Sequence, residues 1–257
     1  MITYRYFIHL AYNGSPFHGW QVQENAPSVQ GVITHALQSI LHQEINLVGC
    51  GRTDTGVHAR DYYAHFDLEE GKTKDELDNL AYRLNRFLKD DIVIFRIFPV
   101  PQHLHARFSA HTRTYEYHIH TRKDPFLQEY SWYVHPEPDI ARMNKGANLL
   151  LKTDDFTSFS KLHSAAKTNI CKVTYAQWDQ SGHRIIFSIT ADRFLRNMVR
   201  AIVGTLVDLG HGKISLEDLQ KIIEGKDRSL AGESVPAKGL FLSRVVYPQQ
   251  LSGDLEI

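Results

Sequence analysis

The chain changes its hydrophobic period from strand-like to helix-like and back in both halves, and this constrains the fold most. Near the start, Tyr4, Tyr6, Ile8 and Leu10 recur at every second position, which places them on one face of a β-strand. Ser28 then precedes a segment whose apolar residues recur every three or four positions, as on one face of an α-helix. The sequence therefore predicts a protein that mixes strands and helices.

The same alternation continues to the last strand pattern. Thr73 and Glu76 form a capping box that begins a helix. A half-exposed strand is predicted over 113–121. Later segments predict a helix from Asp139, two strands, two more helices and a final strand over 240–247. The long β–α–β regularity of a doubly wound sheet is missing from this order. We therefore predict an α+β fold.

The α+β prediction takes a specific form, which is two ferredoxin-like halves of split βαβ type with mixed or antiparallel sheets that form a central cleft. The predicted domains are 1–108 and 109–257, because a His- and Pro-containing stretch separates the two halves at 99–111. A cleft between two sheets would suit a long ligand.

Composition favours a globular protein of the cytoplasm. The apolar fraction is 42% and the charged fraction is 23%, and no apolar run approaches the roughly 20 residues of a membrane helix. The first residues do not resemble a signal peptide. Cys50 and Cys171 are far apart and outside any metal-type spacing, which predicts free thiols in a reducing compartment.

The net charge of zero hides an uneven distribution of charged residues. Residues 61–91 contain nine Asp or Glu and five Lys or Arg. The 100–123 segment instead contains four Lys or Arg, five His and one acidic residue, and 193–213 is also basic. A local basic surface that binds a polyanion and an ordinary mixed surface are both compatible with this pattern.

The densest candidate for a site is the turn Gly51-Arg52-Thr53-Asp54-Thr55-Gly56-Val57-His58-Ala59. Glycines on both sides of Asp54 allow unusual backbone dihedrals, so the turn can present a carboxylate to a substrate. The alternative for a short pattern of this kind is an Asx-turn in a surface loop. Residues that flank the core pattern extend it well beyond a short turn.

This turn resembles the GRTDAGVHA motif of the tRNA pseudouridine synthase A family, with Thr55 where the family has a small residue. Val235 is a second departure, at a position where the family has Ala. Other segments resemble family motifs in the same order along the whole chain. These are Tyr12-Asn13-Gly14, Phe17, Gly19-Trp20-Gln21, Gln23, Ser28-Val29-Gln30, Arg113-Thr114-Tyr115-Glu116-Tyr117, Phe194-Leu195-Arg196-Asn197-Met198-Val199-Arg200, Ile202-Val203-Gly204 and Val235-Pro236-Ala237-Lys238-Gly239-Leu240.

The resemblance implies a role for each candidate residue. Asp54 would be the catalytic carboxylate, and Arg200 would form a salt bridge with it. Tyr115 would act in catalysis and stack on the extruded uracil, although a tyrosine on the apolar face of a strand is more often a core residue. Arg52 would fill or stabilise the space that the flipped nucleotide leaves. Leu240 would form part of the apolar wall around the base, with ordinary core packing as its alternative.

Arg196 is a candidate phosphate contact. Arg193, Arg196 and Arg200 would lie within about 60° of one another if all three were on one ideal helix. One member of such a basic rim could reach a cleft while the others meet phosphate. The alternative is a solvated basic face.

Metal binding is not expected. His118 and His120 share one face of a predicted strand, but no Cys or carboxylate completes a familiar four-ligand set around them. The isomerisation of uridine to pseudouridine neither oxidises nor hydrolyses the substrate, so no cofactor is expected either. A flipped base, a carboxylate and a closed pocket would be sufficient.

By resemblance, the substrate would be the tRNA anticodon stem-loop at positions 38, 39 and 40, and the protein would be a homodimer. One alternative is a carboxylate-nucleophile hydrolase of glycosidase type, which would need a second carboxylate as its acid/base partner. The matched motifs contain Tyr and Arg instead. The other alternative is a non-catalytic RNA-binding module, which would have no need of Asp54.

Overall fold

A computed structural model describes residues 3–161 and 168–247. The described residues form two compact units, 3–111 together with 242–247, and 112–241. The predicted domains were 1–108 and 109–257, so the observed units differ in including the end of the last strand in the first unit. Hydrogen bonds explain this membership, because Val245 N–H donates to the Asp61 carboxylate at 2.6 Å and the Tyr247 hydroxyl donates to Ala106 O at 2.6 Å.

The described residues form fourteen α-helices and β-strands in an order close to the predicted one. They are β1 (Tyr4–Tyr12), α1 (Val29–Leu41), β2 (Val48–Gly49), β3 (His58–Leu68), α2 (Lys74–Phe87), β4 (Ile92–Val100), β5 (Thr112–His120), β6 (Trp132–Tyr133), α3 (Ile140–Leu150), β7 (Val173–Ser181), β8 (Arg184–Ala191), α4 (Met198–Gly210), α5 (Leu216–Gly225) and β9 (Leu240–Val246).

The first unit is a split βαβ arrangement. Strands β4, β1 and β3 lie side by side in that order, the short β2 also pairs with β3, and each of these pairs is antiparallel. Helix α1 begins at the predicted cap, where the Ser28 side chain accepts from Gly31 N. The capping box at the start of α2, formed by Thr73 and Glu76, is also present. Both helices begin where their side chains satisfy N–H groups that a helix leaves without partners.

The sheet of the first unit is covered on both faces. On β1, Tyr6, Ile8 and Leu10 are buried on one face, and Phe7 is buried on the other. The second face packs on Tyr247, the last residue that the structure describes. The centroids of the Phe7 and Tyr247 rings lie 5.4 Å apart. A strand buried on both faces must be apolar at consecutive positions, which explains why β1 does not alternate strictly with polar residues.

The second unit repeats the split βαβ order. Strand β8 lies between β5 and β7 and is antiparallel to both, while the short β6 is parallel to β5. Helix α3 connects the β5–β6 region to β7, and its N-cap is the predicted Asp139. The predicted α+β class with ferredoxin-like halves is therefore confirmed.

Two smaller predictions concern the whole chain. Both cysteines, Cys50 and Cys171, are buried and form no disulfide. In the described part of the chain, no helix has the length and apolarity that crossing a membrane requires.

A buried histidine in the first unit makes folding stability depend on pH. His65 Nδ1 accepts a hydrogen bond from Ala106 N at 3.2 Å, and burial, with Arg5 nearby, lowers the pKa of His65 from 6.5 to about 4. The unfolded chain therefore takes up this proton first as the pH falls. The contribution of His65 to stability is complete above pH 6.5 and decreases between pH 6.5 and about 4.

We expect His65→Gln to reduce the loss of stability between pH 7 and pH 5, because glutamine keeps an acceptor for Ala106 and does not titrate. The free energy of unfolding, measured by urea denaturation at both pH values, tests this. His105 and His120 also have lowered pKa values, so part of the wild-type loss should remain. An unchanged loss in the variant would show that His65 does not contribute.

Candidate active site

The turn that contains Asp54 connects the short β2 to β3. Val57 N donates to Asp54 O at 3.1 Å, and Gly56 has a φ of +76°, which closes the turn. Arg52 is exposed, Thr53 is buried and Asp54 is half-buried. The turn therefore places the carboxylate at the protein surface, next to a side chain that anchors the backbone.

The anchor is a buried hydrogen bond between two side chains. The Tyr12 hydroxyl and Thr53 Oγ1 lie 2.8 Å apart, and both side chains are buried. On the other side of the turn, Gly14 N donates to Nδ1 of the buried His58 at 3.0 Å. Each bond satisfies polar groups that burial would otherwise leave at a cost of roughly 1–3 kcal/mol.

Backbone hydrogen bonds from the β1–α1 connection hold the turn on both sides of Asp54. Trp20 N donates to Thr53 O at 3.2 Å, and Gly56 N donates to Phe17 O at 3.3 Å. These bonds depend on the path of the backbone and fix the Cα position of Asp54. The motif residues in the 12–30 segment therefore have a structural role, because this segment holds the Asp54 turn in place.

Two aromatic rings close this assembly. Trp20 stacks on Tyr62 with 4.2 Å between ring centroids, and the Tyr62 hydroxyl donates to Gly51 O at 2.5 Å. Gly19 approaches the turn so closely that an added Cβ would lie 2.5 Å from Thr53 O. Its φ of +90° is also one that side-chain-bearing residues rarely adopt. Only glycine fits this position without a shift of the turn.

In the second unit, Tyr115 lies on β5 and on the same strand face as Tyr117. The Tyr115 side chain is half-buried, whereas Tyr117 is fully buried. The ring of Phe194 meets Tyr115 edge to face, with centroids 5.0 Å apart and an interplanar angle of 82°. This contact restricts the orientation of the Tyr115 ring.

Arg200 lies in the first turn of α4 and is hydrogen-bonded to a segment near the end of the unit. Its Nε donates to Val235 O at 2.7 Å, and Val235 N donates to Arg200 O at 3.3 Å. The same segment is held by the Tyr117 hydroxyl, which donates to Pro236 O at 2.8 Å. Burial raises the pKa of Tyr117 by more than the nearby Arg200 lowers it. The hydroxyl therefore stays protonated and donates.

Leu240 begins β9 and is buried, with 6% of its surface exposed. The preceding Gly239 lies against β5, because an added Cβ would be 2.9 Å from both His118 O and the Tyr117 ring. This close approach fixes the start of β9. Within the second unit, the structure therefore connects Arg200 through Val235 and Tyr117 to the segment that ends at Leu240.

The prediction of a basic rim on one helix is wrong. Helix α4 begins at Met198, and Asn197 has a left-handed φ of 67°, so Arg193 and Arg196 precede the helix. The backbone before Asn197 makes hydrogen bonds outside the helix. Arg193 N donates to the Asp192 carboxylate at 2.7 Å, and Lys161 N donates to Arg196 O at 3.1 Å. Arg196 is exposed.

The sequence predicted Asp54, Arg200 and Tyr115 as site residues but did not predict the side chains that support their surroundings. Thr53 anchors the Asp54 turn, Tyr117 holds the segment bonded to Arg200, and Phe194 packs on Tyr115. Each of these three stands inside a quoted motif. The one available sign of these supporting residues was their polar or aromatic side chain within the same motif as a candidate residue. Its partner lies far away in sequence, so the contact itself could not be read.

Among residues 3–161 and 168–247, no group of three or more His, Cys, Asp or Glu side chains is arranged to hold a metal ion. The two histidines considered earlier have other partners. His118 Nε2 lies 3.1 Å from the Glu116 carboxylate, and His120 Nδ1 lies 2.9 Å from Ser131 Oγ.

Comparison with known proteins decides the family. A family model described as tRNA pseudouridine synthase matches residues 147–248. A tRNA pseudouridine synthase A of Porphyromonas gingivalis is 52% identical over 96% of this chain and 98% of its own length. This chain belongs to the tRNA pseudouridine synthase A family. Relatives of the same name from Bacteroides fragilis and Acetivibrio thermocellus are 49% and 38% identical, over 98% and 93% of this chain and 99% and 97% of their own lengths.

We expect Gly19→Ala to destabilise this family member by about 1–3 kcal/mol from backbone strain alone, with a further cost from the clash at Thr53 O. Gly51→Ala is the matched control, because no atom lies within 4 Å of its added Cβ. The control should stay within about 0.5 kcal/mol of the wild type. Urea denaturation measures both, and equal free energies of unfolding for the two variants would contradict the close approach.

Proposed function

We propose that this protein isomerises uridine to pseudouridine in tRNA, at positions 38, 39 and 40 of the anticodon stem-loop, with Asp54 as its catalytic carboxylate. The main support is near-complete alignment with relatives named tRNA pseudouridine synthase A, together with the anchored turn at Asp54. Enzymes of this class are isomerases.

The reaction leaves the composition of the substrate unchanged. The N1–C1′ bond of uridine breaks, the uracil turns, a C5–C1′ bond forms, and the C5 proton is replaced by a proton on N1. An aspartate in water is ionised at neutral pH, so Asp54 is suited to act as a nucleophile. The anchored backbone supports this role, because a fixed Cα lowers the cost of orienting the carboxylate at a flipped base.

We assign five supporting roles, four of them on the basis of family resemblance. Arg200 pairs with the Asp54 carboxylate, and Tyr115 stacks on the extruded uracil, with the edge of Phe194 orienting its ring. Leu240 belongs to the apolar wall around the base. The exposed Arg52 fills or stabilises the space that the flipped nucleotide leaves in the RNA. In the fifth role, the exposed Arg196 contacts phosphate, since a solvent-facing guanidinium can neutralise the RNA backbone.

Two wider properties are also proposed. The protein acts as a homodimer, with each tRNA touching both subunits, and it works in the cytoplasm, where tRNA is found. A hydrolase of glycosidase type would need a second catalytic carboxylate, and the family motifs around Asp54 do not supply one. A non-catalytic RNA-binding module would not require the anchored carboxylate.

We expect Asp54→Asn to reduce tritium release from tRNA labelled at uridine C5 by at least about a thousandfold, since asparagine is not a nucleophile. Asp78→Asn, on the exposed face of α2, is the matched control and should react normally. Thermal unfolding checks that both variants are folded. Unchanged release by Asp54→Asn would overturn the assignment, while free uracil as the wild-type product would favour a hydrolase.

We expect Arg200→Met to reduce kcat by about 100-fold or more, because the variant removes the proposed cationic partner of the Asp54 carboxylate. Binding of tRNA should change little. Arg196→Gln is the comparison, since loss of a phosphate contact should raise KM and leave kcat nearly unchanged. Single-turnover kinetics with anisotropy-based tRNA binding separates the two effects. A near-normal kcat for Arg200→Met would contradict the proposed ion pair.

A further inference from the structure

The segment at 101–109 is firmly anchored to the first unit. The Arg5 guanidinium donates to Gln102 O at 3.0 Å and to Leu104 O at 2.8 Å. The Arg5 side chain is itself held by Asp67, with two contacts of 2.8 Å. Further along, the backbone of Ala106 bonds to His65 and Tyr247. The conformation of the segment is therefore fixed by hydrogen bonds to buried and half-buried residues of the first unit.

His105 shapes the end of this segment. Its Nδ1 accepts from Arg107 N at 3.1 Å and from Phe108 N at 3.3 Å, and Ser109 Oγ accepts from His105 N at 3.0 Å. Burial, with Arg5 and Arg107 nearby, lowers the pKa of His105, so the ring is neutral at pH 7 and Nδ1 is free to accept. The charge of the tip at neutral pH therefore comes from Arg107.

Phe108 is held at the surface by this arrangement. Its side chain is 76% exposed, although its ring lies 4.4 Å from the His105 ring and 5.5 Å from the Arg107 guanidinium carbon. An exposed phenylalanine on a flexible loop would be unremarkable, because single apolar residues are common on surfaces. A phenylalanine at the end of an anchored turn and next to a guanidinium is different. The fold maintains its exposure.

Charge indicates the kind of partner. Residues 101–111 contain Arg107 and three histidines and no Asp or Glu. By contrast, Phe126 is 89% exposed, and the segment 121–131 around it contains Asp124 and Glu129 as well as Arg122 and Lys123. A guanidinium next to an open aromatic ring, with no carboxylate in the same segment, fits a nucleotide, since phosphate is attracted by the guanidinium and a base stacks on the ring.

We propose that Phe108 and Arg107 form a stacking platform that binds an unpaired nucleotide of the tRNA, outside the motifs that carry the catalytic residues. This inference rests on the proposed function, because it assumes a tRNA substrate. Phe108 supplies the stacking surface, and Arg107 contacts the adjoining phosphate. His105 is a positioning residue that fixes the turn.

Anisotropy titration of an unmodified tRNA transcript against the full-length protein at fixed salt tests the platform. We expect Phe108→Ala to weaken binding about tenfold and Phe108→Tyr by less than about twofold, since stacking needs an aromatic face. Arg107→Gln should reduce the slope of log Kd against log salt by about one. Tyr82→Ala is the matched control: it removes a 65% exposed ring from the acidic 61–91 segment and should bind normally.

A spectroscopic variant tests stacking directly. In Phe108→Trp, added tRNA should quench the new tryptophan emission, and Asp54→Asn in the same background should preserve the quenching. Wild-type affinity for Phe108→Ala, or no quenching in Phe108→Trp, would overturn the platform even if the wild type modifies tRNA. A change of oligomeric mass in Phe108→Ala, measured by sedimentation, with tRNA affinity intact would instead show a contact between copies. If the wild type neither binds nor modifies tRNA, the proposed function fails together with the platform.

Discussion

The position of Asp54 depends on backbone hydrogen bonds between its turn and the connection from β1 to α1. Trp20 N–H and Phe17 O bind the turn on the two sides of Asp54, at Thr53 O and Gly56 N. The environment is dry, because Trp20 is 3% exposed and Thr53 is 8% exposed. Buried backbone groups are costly to leave without partners, so the turn cannot move without losing several favourable interactions together.

The connection is itself fixed by the helix that follows it. Val29 N donates to Gly19 O at 3.2 Å, and Gln30 N donates to Trp20 O at 2.9 Å, so the segment that holds the turn continues directly into α1. The Gln30 side chain extends this support, since it donates to Leu47 O at 2.8 Å. The packing of α1 in the core therefore contributes to the placement of the carboxylate, although α1 contains none of the proposed catalytic residues.

Local patterns were predictable from sequence, and contacts between distant residues were not. Ser28 and Thr73 were identified as helix caps because capping depends on residues that lie close together in sequence, and a helix was predicted from Asp139, which is the N-cap of α3. The start of α4 was misplaced because Leu195 continues the apolar period although the backbone turns at Asn197. The partnership of Tyr12 with Thr53 was invisible, because forty-one positions separate them and either hydroxyl could have bonded to water.

Both units use the same split βαβ order, and in each unit an irregular segment supports a candidate residue. In the first unit, Asp54 lies on a turn between strands, and the segment before α1 supports it. In the second unit, Arg200 stands at the beginning of α4, and the segment from Val235 to Gly239 supports it. A ferredoxin-like arrangement alone would therefore not indicate an activity, because many functions share it. The irregular segments next to Asp54 and Arg200 are held by hydrogen bonds and close packing, and this gives a structural reason for glycine and aromatic residues of the quoted motifs, such as Gly19, Trp20 and Gly239.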